Sequence, residues 1–299
     1  MESRRRKIAG ALLLAGMAVC LMIMGQAYCE SRKHRAQQEA LKEMVTEALV
    51  KYPVQTDSAP QQINVSVLPE QSADPDREQA TEPDGEQPEE PEAGQTVDTE
   101  AEQPKEKPDM LEKYTGLYEE NQDLVGWLSI EGMKIDYPVM QNEDDKYYLH
   151  HDFYGNESKY GCLYVRKQAD LASGTNFIIY GHNMKDGSMF GDLDLYREED
   201  FYKEHSKISF DTLYKEYNYE IVAVFLSQIY NENDDVFKYY QFYEAQTEAE
   251  FYDFYENIKE MSLYDTGVEA AYGDTFLTLS TCAYHVKNGR LAVVAKRVE

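Results

Sequence analysis

The fold is decided by one stretch near the C-terminus, Thr275 to Cys282, which has the sequence TFLTLSTC. β-Branched and apolar residues alternate there with small hydroxyl residues, which is typical of a strand, and the stretch ends on a cysteine. Arg290 follows eight residues later and opens a second apolar stretch, Leu291 to Ala295. The pattern therefore predicts two neighbouring strands that bring a thiol and a guanidinium to one end of a sheet.

The connection between these two strands has two alternative forms. Asn288-Gly289 is typical of a tight two-residue hairpin turn, which would move Arg290 away from Cys282. A longer loop over residues 283–289 would keep both side chains at the same end of the sheet. The residues before Asn288 show no regular alternation of apolar and polar side chains, which favours the longer loop.

Further short strands are predicted upstream of this pair, beginning near Met110. They lie at 123–130, 133–140, 160–166, 176–182, 207–210 and 219–230, and helices are predicted at 111–118, 144–151, 188–197 and 247–262. About eight short strands with helices in their connections predict a mainly β fold, namely a β-barrel with peripheral helices.

Charge and cysteine content restrict the function. The 299 residues carry a formal net charge of −27, which argues against nucleic acid as a partner. The four cysteines are Cys20, Cys29, Cys162 and Cys282, and their spacing matches neither a metal site nor a dense disulfide framework. The cysteine pattern therefore gives no indication of a metal site.

The N-terminal part of the chain predicts a membrane anchor. Residues 1–7 include four basic side chains, and an uncharged run of 22 residues follows from Ile8 to Cys29. As a helix this run would span roughly 33 Å, enough for the core of a bilayer. A cleaved signal peptide with a small-x-small site at residues 25–27 is the alternative, but its apolar region is usually only about 7–15 residues long. The anchor is favoured, with residues 1–7 in the cytoplasm.

Two segments separate the predicted anchor from the folded part. Residues 30–52 form a juxtamembrane segment, which includes a short amphipathic helix over 37–50. Residues 53–109 contain nine of the ten prolines, no aromatic residue and an excess of acidic side chains. Such a composition cannot bury enough apolar surface to fold, so 53–109 is predicted to be a disordered linker. The folded domain is predicted to cover 110–299.

His182 is the histidine best placed to act with a thiol nucleophile. A cysteine becomes nucleophilic when it is accessible and close to a base or a cation. His182 ends the apolar strand at 176–182 beside Gly181 and precedes a loop, so a rigid element would position it. Each of the six histidines, considered alone, is more often structural. Cys162 fits a buried apolar residue, whereas Cys282 fits that interpretation less well because it ends a strand.

The combination of these motifs resembles the sortases, which are membrane-tethered cysteine transpeptidases of Gram-positive bacterial surfaces. The resemblance rests on YGHNM at residues 180–184, on TLSTC at residues 278–282 and on Arg290, in that order, and it extends from about Met110 to the C-terminus. The sequence KDGSMF at residues 185–190 and the long helix over 247–262 are most similar to class B.

The resemblance implies an eight-stranded sortase-type barrel and a mechanism. Cys282 would attack the carbonyl of a threonine in a sorting signal near the C-terminus of a client surface protein, and a thioester would form. His182 would serve as acid and base, and Arg290 would stabilise the oxyanion or hold the peptide. Tyr180, Ser280 and Thr281 would bind substrate, and the resemblance implies neither a metal nor any other cofactor.

Four functions follow as alternatives. The first is attachment of surface proteins to an amine of peptidoglycan by an enzyme in the cell membrane, with its catalytic domain extracellular. A pilin-joining class B sortase would use a pilin amine as the acceptor. A cysteine endopeptidase would release the acyl group to water. A tethered binding module with inert cysteines would have no activity at all.

Overall fold

The computed structural model describes residues 2–51 and 109–298, with side chains from residue 15 onward in the first range. Five α-helices lie in these ranges: α1 (Glu2–Lys51), α2 (Glu112–Glu120), α3 (Tyr147–His150), α4 (Glu199–Glu204) and α5 (Glu248–Met261). The strands are β1 (Leu124–Ser129), β2 (Asp136–Gln141), β3 (Leu163–Val165), β4 (Asn176–Tyr180), β5 (Lys207–Thr212), β6 (Glu216–Gln228), β7 (Phe276–Cys282) and β8 (Gly289–Arg297). Short 3-10 helices cover Gly191–Arg197 and Tyr239–Gln241.

The eight strands form one closed barrel, as predicted. Neighbouring strands follow the order β1-β2-β3-β4-β7-β8-β6-β5, and β5 pairs back to β1. The β2–β3 and β4–β7 pairs are parallel, and the other pairs are antiparallel. β7 therefore lies between the parallel strand β4 and the antiparallel strand β8.

Each face of β7 packs in a different apolar cluster. Leu277 and Leu279 are fully buried inside the barrel, whereas Phe276 faces outward and is covered by α5. The rings of Phe251 and Phe254 on α5 lie 5.3 and 5.4 Å from that of Phe276. Because side chains alternate along a strand, the even-numbered residues of β7, Cys282 included, belong to the outer face of the barrel.

The C-terminal part of α1 packs on the barrel. Leu41 is fully buried in a cluster with Tyr114 and Leu117 of α2. The His34 ring stacks on Tyr160, with the ring centroids 4.1 Å apart. The amphipathic helix predicted over 37–50 is thus part of α1, and its apolar side packs against α2 and the outside of the barrel.

The anchor and linker predictions concern the least described residues. Among the residues that the structure describes, no helix combines the length and the apolar character needed to cross a membrane. Residues 8–14 of the predicted anchor have no described side chains, and the predicted linker over 53–109 lies outside the described residues apart from Asp109.

Several boundaries differ from the prediction. The strand predicted at 133–140 begins only at Asp136, because residues 131–135 form a turn in which Ile130 and Ile135 are hydrogen-bonded. β4 ends at Tyr180, two residues before His182, and the helix predicted at 188–197 is a 3-10 helix. The sequence pattern did not indicate α4, a helix of only six residues.

Candidate active site

Cys282 is the last residue of β7, and its thiol is free and partly exposed. Cys162 is free as well but fully buried, and burial raises the pKa of its thiol well above the usual value, with a further contribution from the Asp152 carboxylate. A thiolate is the reactive form of cysteine, so burial makes Cys162 unreactive. Of these two barrel cysteines, Cys282 is the one that a substrate can reach.

Arg290 lies directly opposite Cys282 on β8. The strands are joined by a loop over 283–288, so the longer connection is confirmed and the two-residue hairpin is wrong. The Ala283 amide donates to the Gly289 carbonyl at 3.0 Å, which leaves no room for a side chain at 289, since a Cβ there would lie 2.3 Å from the Ala283 oxygen. Asn288 has a φ of 57°, a value that asparagine tolerates better than most residues.

His182 follows the end of β4, on the other side of β7. In the parallel β4–β7 pair, Tyr180 lies opposite Ser280, so His182 comes two residues beyond that pair, as Cys282 does. The ring Nε2 of His182 lies 2.8 Å from the carbonyl oxygen of Leu149. A carbonyl oxygen only accepts hydrogen bonds, so Nε2 carries a proton and Nδ1 is the nitrogen able to take up another.

Asn183 joins the His182 segment to β7, a link that the sequence pattern does not indicate. Its side-chain Nδ2 donates to the backbone carbonyl of Cys282 at 2.8 Å and to the Asp194 carboxylate at 2.9 Å. Asn183 belongs to the motif YGHNM, but its partner Cys282 lies 99 residues away. Only the fold makes this contact visible.

A second link between β4 and β7 runs through Gly181. The Thr281 hydroxyl donates to the Gly181 carbonyl at 2.8 Å, and Thr281 is buried. A Cβ at position 181 would lie 2.5 Å from the Leu163 side chain and 2.8 Å from Phe190. The close approach of these side chains therefore requires glycine immediately before His182.

The other two predicted binding residues lie on the outer face beside Cys282. The Ser280 hydroxyl is buried and lies 2.8 Å from the Tyr239 hydroxyl. Tyr180 is partly exposed; its ring stacks on Tyr164, and the Arg166 guanidinium carbon lies 4.9 Å from the ring centroid. Burial raises the pKa of the Tyr180 phenol well above its usual value. Of these two residues only Tyr180 is partly exposed, and contact of either one with substrate stays a prediction.

The arrangement of possible metal ligands in the described part of the chain is also informative. Within them, no group of three or more His, Cys, Asp or Glu side chains could hold a metal ion. One acidic residue, Asp194, is linked to this site, because its carboxylate accepts a hydrogen bond from the Asn183 side chain.

Comparisons with known proteins agree on one family. The family model of the sortase domain matches residues 128–298. Sortase B of Listeria monocytogenes is 35% identical over 185 residues, which cover 60% of this chain and 71% of that protein. Sortase B of Staphylococcus aureus is 28% identical over 197 residues, covering 62% of this chain and 75% of that protein.

Solved structures give the same result. The structure of sortase B from Bacillus anthracis has a TM-score of 0.56 at 34% identity, covering 65% of this chain and 90% of that chain. A substrate complex of Staphylococcus aureus sortase B has a TM-score of 0.65, covering 90% of this chain and 98% of that chain, and at 22% identity it supports the fold alone.

Proposed function

Since the chain belongs to the sortase family and is a class B sortase, and hence a cysteine transpeptidase, we propose that it cleaves a C-terminal sorting signal after its threonine and transfers the acyl group to an amine of peptidoglycan. The observation that carries the proposal is the position of Cys282 between two functional groups. His182 follows the strand on one side of it, and Arg290 lies opposite on the other side.

Acylation begins when the Cys282 thiolate attacks the threonine carbonyl. A carbon–sulfur bond forms, and the carbonyl π electrons move to the oxygen. When this oxyanion collapses, the carbon–nitrogen bond breaks, and the leaving amine takes a proton from His182. The product is a thioester on Cys282. Because Nε2 of His182 already donates to Leu149, the proton that is exchanged resides on Nδ1.

Deacylation reverses the proton transfer. The incoming amine attacks the thioester and gives a proton to His182, and the carbon–sulfur bond breaks to regenerate the thiolate. Arg290 donates hydrogen bonds to the oxyanion in both steps, since a cation beside the reacting carbon stabilises the negative charge that develops in acyl transfer. Tyr180, Ser280 and Thr281 bind the signal peptide in this proposal.

The location forms part of the proposal. The uncharged run from Ile8 to Cys29 supports a single-pass anchor, with residues 1–7 in the cytoplasm and the catalytic domain outside the cell membrane. The side chains of residues 15–29 are all exposed, which suits contact with lipid. Retention of the full chain in membranes after a high-pH wash supports the anchor, whereas release into the wash contradicts it.

The function is tested by product analysis. The full chain is incubated with a library of peptides that share only a central threonine, with and without a glycine oligomer as the amine, and the products are identified by mass spectrometry. We expect cleavage after threonine and a new amide bond to the added amine. Release of the free acid alone, even with the amine present, would assign an endopeptidase, and absence of any product would overturn the transpeptidase function.

A further inference from the structure

Three residues form one row across the outer face of the barrel beside the nucleophile. Cys282 on β7 lies opposite Arg290 on β8, and Arg290 lies opposite Ser227 on β6. Directly opposite residues of antiparallel strands point to the same face, with Cβ atoms about 4.5–5.5 Å apart. Arg290 is thus flanked by the thiol on one side and by a hydroxyl on the other.

The Ser227 hydroxyl lacks a partner. Ser227 is 5% exposed, and its Oγ makes no hydrogen bond to any described residue. Two other hydroxyls on the same face are paired, Ser280 with Tyr239 at 2.8 Å and Thr278 with the Asn176 side chain at 2.9 Å, whereas the Tyr180 hydroxyl on β4 also makes no hydrogen bond to a described residue. A buried polar group without a partner is destabilising, so the unpaired state of Ser227 needs an explanation.

Arg290 has the complementary deficit. Its hydrogen bonds within the described residues all come from one nitrogen, Nη1, which donates to the carbonyls of its own turn, Gly289 at 2.9 Å and Asn288 at 3.4 Å. A guanidinium has five N–H donors in a fixed planar fork. Among the described residues, Nε and Nη2 therefore have no acceptor, and the residue opposite Arg290 on β6 carries a buried oxygen that has no donor.

We propose that Ser227 is the positioning residue for Arg290: its hydroxyl accepts a hydrogen bond from the guanidinium when Arg290 turns from its own loop toward the oxyanion. In that arrangement one edge of the fork is held by Ser227, and the other edge points to the oxygen that develops charge beside Cys282. This inference rests on the proposed oxyanion role of Arg290. It explains both unpaired groups with a single movement, and Ser227 need not touch the substrate.

The first test is Ser227→Ala, studied in the full chain with the peptide that the wild type cleaves fastest from the threonine library. Because the contact forms as charge develops, we expect kcat to fall about 10-fold or more with little change in KM. The melting temperature should stay the same or rise, since the substitution removes an unpaired buried hydroxyl. A lower melting temperature with normal kinetics would instead indicate a hydroxyl satisfied by buried water, and a higher KM would indicate a peptide contact; either result overturns the proposal.

The second test is a double-mutant cycle with Arg290→Lys. If Ser227 acts only through the guanidinium, Ser227→Ala should cause no further loss of kcat in the Arg290→Lys background. Additive losses would overturn the assignment. Failure of the underlying function is distinguishable, because then the wild type makes no amide product or Arg290→Lys is fully active.

Thr278→Val is the matched control. Thr278 is a buried hydroxyl on the same outer face, but it is already paired with Asn176. Its removal should lower the melting temperature by roughly 3–8 °C while kcat stays unchanged, because a satisfied buried hydrogen bond is lost. The opposite responses of the two variants distinguish a residue that is hydrogen-bonded by Arg290 only during the reaction from one that stabilises the strand pair.

Discussion

The two sides of Cys282 differ in whether the reacting side chain is bonded to another part of the fold. An unpaired buried hydroxyl occurs on both sides, Tyr180 on β4 and Ser227 on β6. On the β4 side, His182 donates to the Leu149 carbonyl, Asn183 donates to the Cys282 carbonyl, and Thr281 donates to the Gly181 carbonyl. On the β8 side, the Ser227 hydroxyl is unpaired, and Arg290 reaches only carbonyls of its own turn. The acid–base side is held rigidly before substrate arrives, whereas the oxyanion side is completed by movement of one side chain.

This difference follows from what each side must do. The histidine moves a proton in both half-reactions, so its ring has to stay in one orientation throughout. The oxyanion exists only in the tetrahedral state, and donors that are held apart from the ground-state carbonyl lower the barrier without tightening substrate binding. Five pairs of variants test the comparison, beginning with Cys282 itself.

Cys282→Ala removes the nucleophile and should reduce turnover to background, with no acyl-enzyme detectable by mass spectrometry. Cys162→Ala is the control, because that thiol is buried away from substrate. The control should keep its turnover and lose only about 1 kcal/mol of stability, from a small cavity. An acyl adduct on Cys162, or normal turnover in Cys282→Ala, would place the nucleophile elsewhere.

His182→Ala breaks the rigid side. The leaving amine then lacks its acid, and loss of a general acid–base typically lowers turnover by about 10²–10⁴-fold. We expect loss of both acylation and transfer in rapid-quench measurements, while His285→Ala, in the exposed β7–β8 loop, serves as the histidine control. Full activity of His182→Ala would show that His182 is not the general acid and base.

Arg290→Lys breaks the adaptable side. The charge remains, but the planar fork is lost, and removal of one oxyanion donor typically costs about 10²–10³ in turnover, or roughly 3–4 kcal/mol of transition-state stabilisation. Arg297→Lys is the matched control at the far end of β8, where the guanidinium carbon lies 4.7 Å from the Tyr217 ring centroid and Nη2 donates to the Thr275 hydroxyl. The control should lose a little stability and no activity. Equal losses of activity in both variants would mean that Arg290 has no special role.

Asn183→Ala loosens the rigid side without removing a reacting group. The Cys282 carbonyl and the Asp194 carboxylate each lose a donor, and we expect about a 10-fold fall in kcat with a lower melting temperature. Asn183→Asp is a second variant, because aspartate has the same size but carries an oxygen in place of Nδ2 and therefore has no donor there. Unchanged kcat in both variants would show that this link does not position the site.

Some of this arrangement could be predicted from the sequence, and some could not. Alternation over 275–282 and 291–295 is strong, so β7, β8 and their loop were predicted, and the order of motifs indicated His182, Cys282 and Arg290. The link from Asn183 to Cys282 joins residues 99 apart, and the partner of His182 is a backbone carbonyl, which carries no residue identity. Packing of α1 on the barrel likewise depends on tertiary contacts that a local pattern does not contain.

The smallest expected effect is that of Thr281→Val, and it decides between two roles for a residue predicted to bind the peptide. The Thr281 side chain is buried and alternates with that of Cys282, so it belongs to the inner face, where its hydroxyl donates to the Gly181 carbonyl. Valine keeps the shape and β-branching but removes the donor, which costs about 1–3 kcal/mol when the acceptor stays buried.

If Thr281 acts as a link on the rigid side, the melting temperature should fall and kcat should drop about 2- to 5-fold through a slight displacement of His182, with KM unchanged. If Thr281 binds the peptide, KM should rise and the melting temperature should stay constant, because the hydroxyl would then be needed only in the complex. Ser280→Ala provides the counterpart on the outer face beside Cys282, where a rise in KM is expected. Steady-state kinetics and thermal unfolding of these two variants therefore show whether Thr281 supports the site while its neighbour Ser280 contacts the peptide.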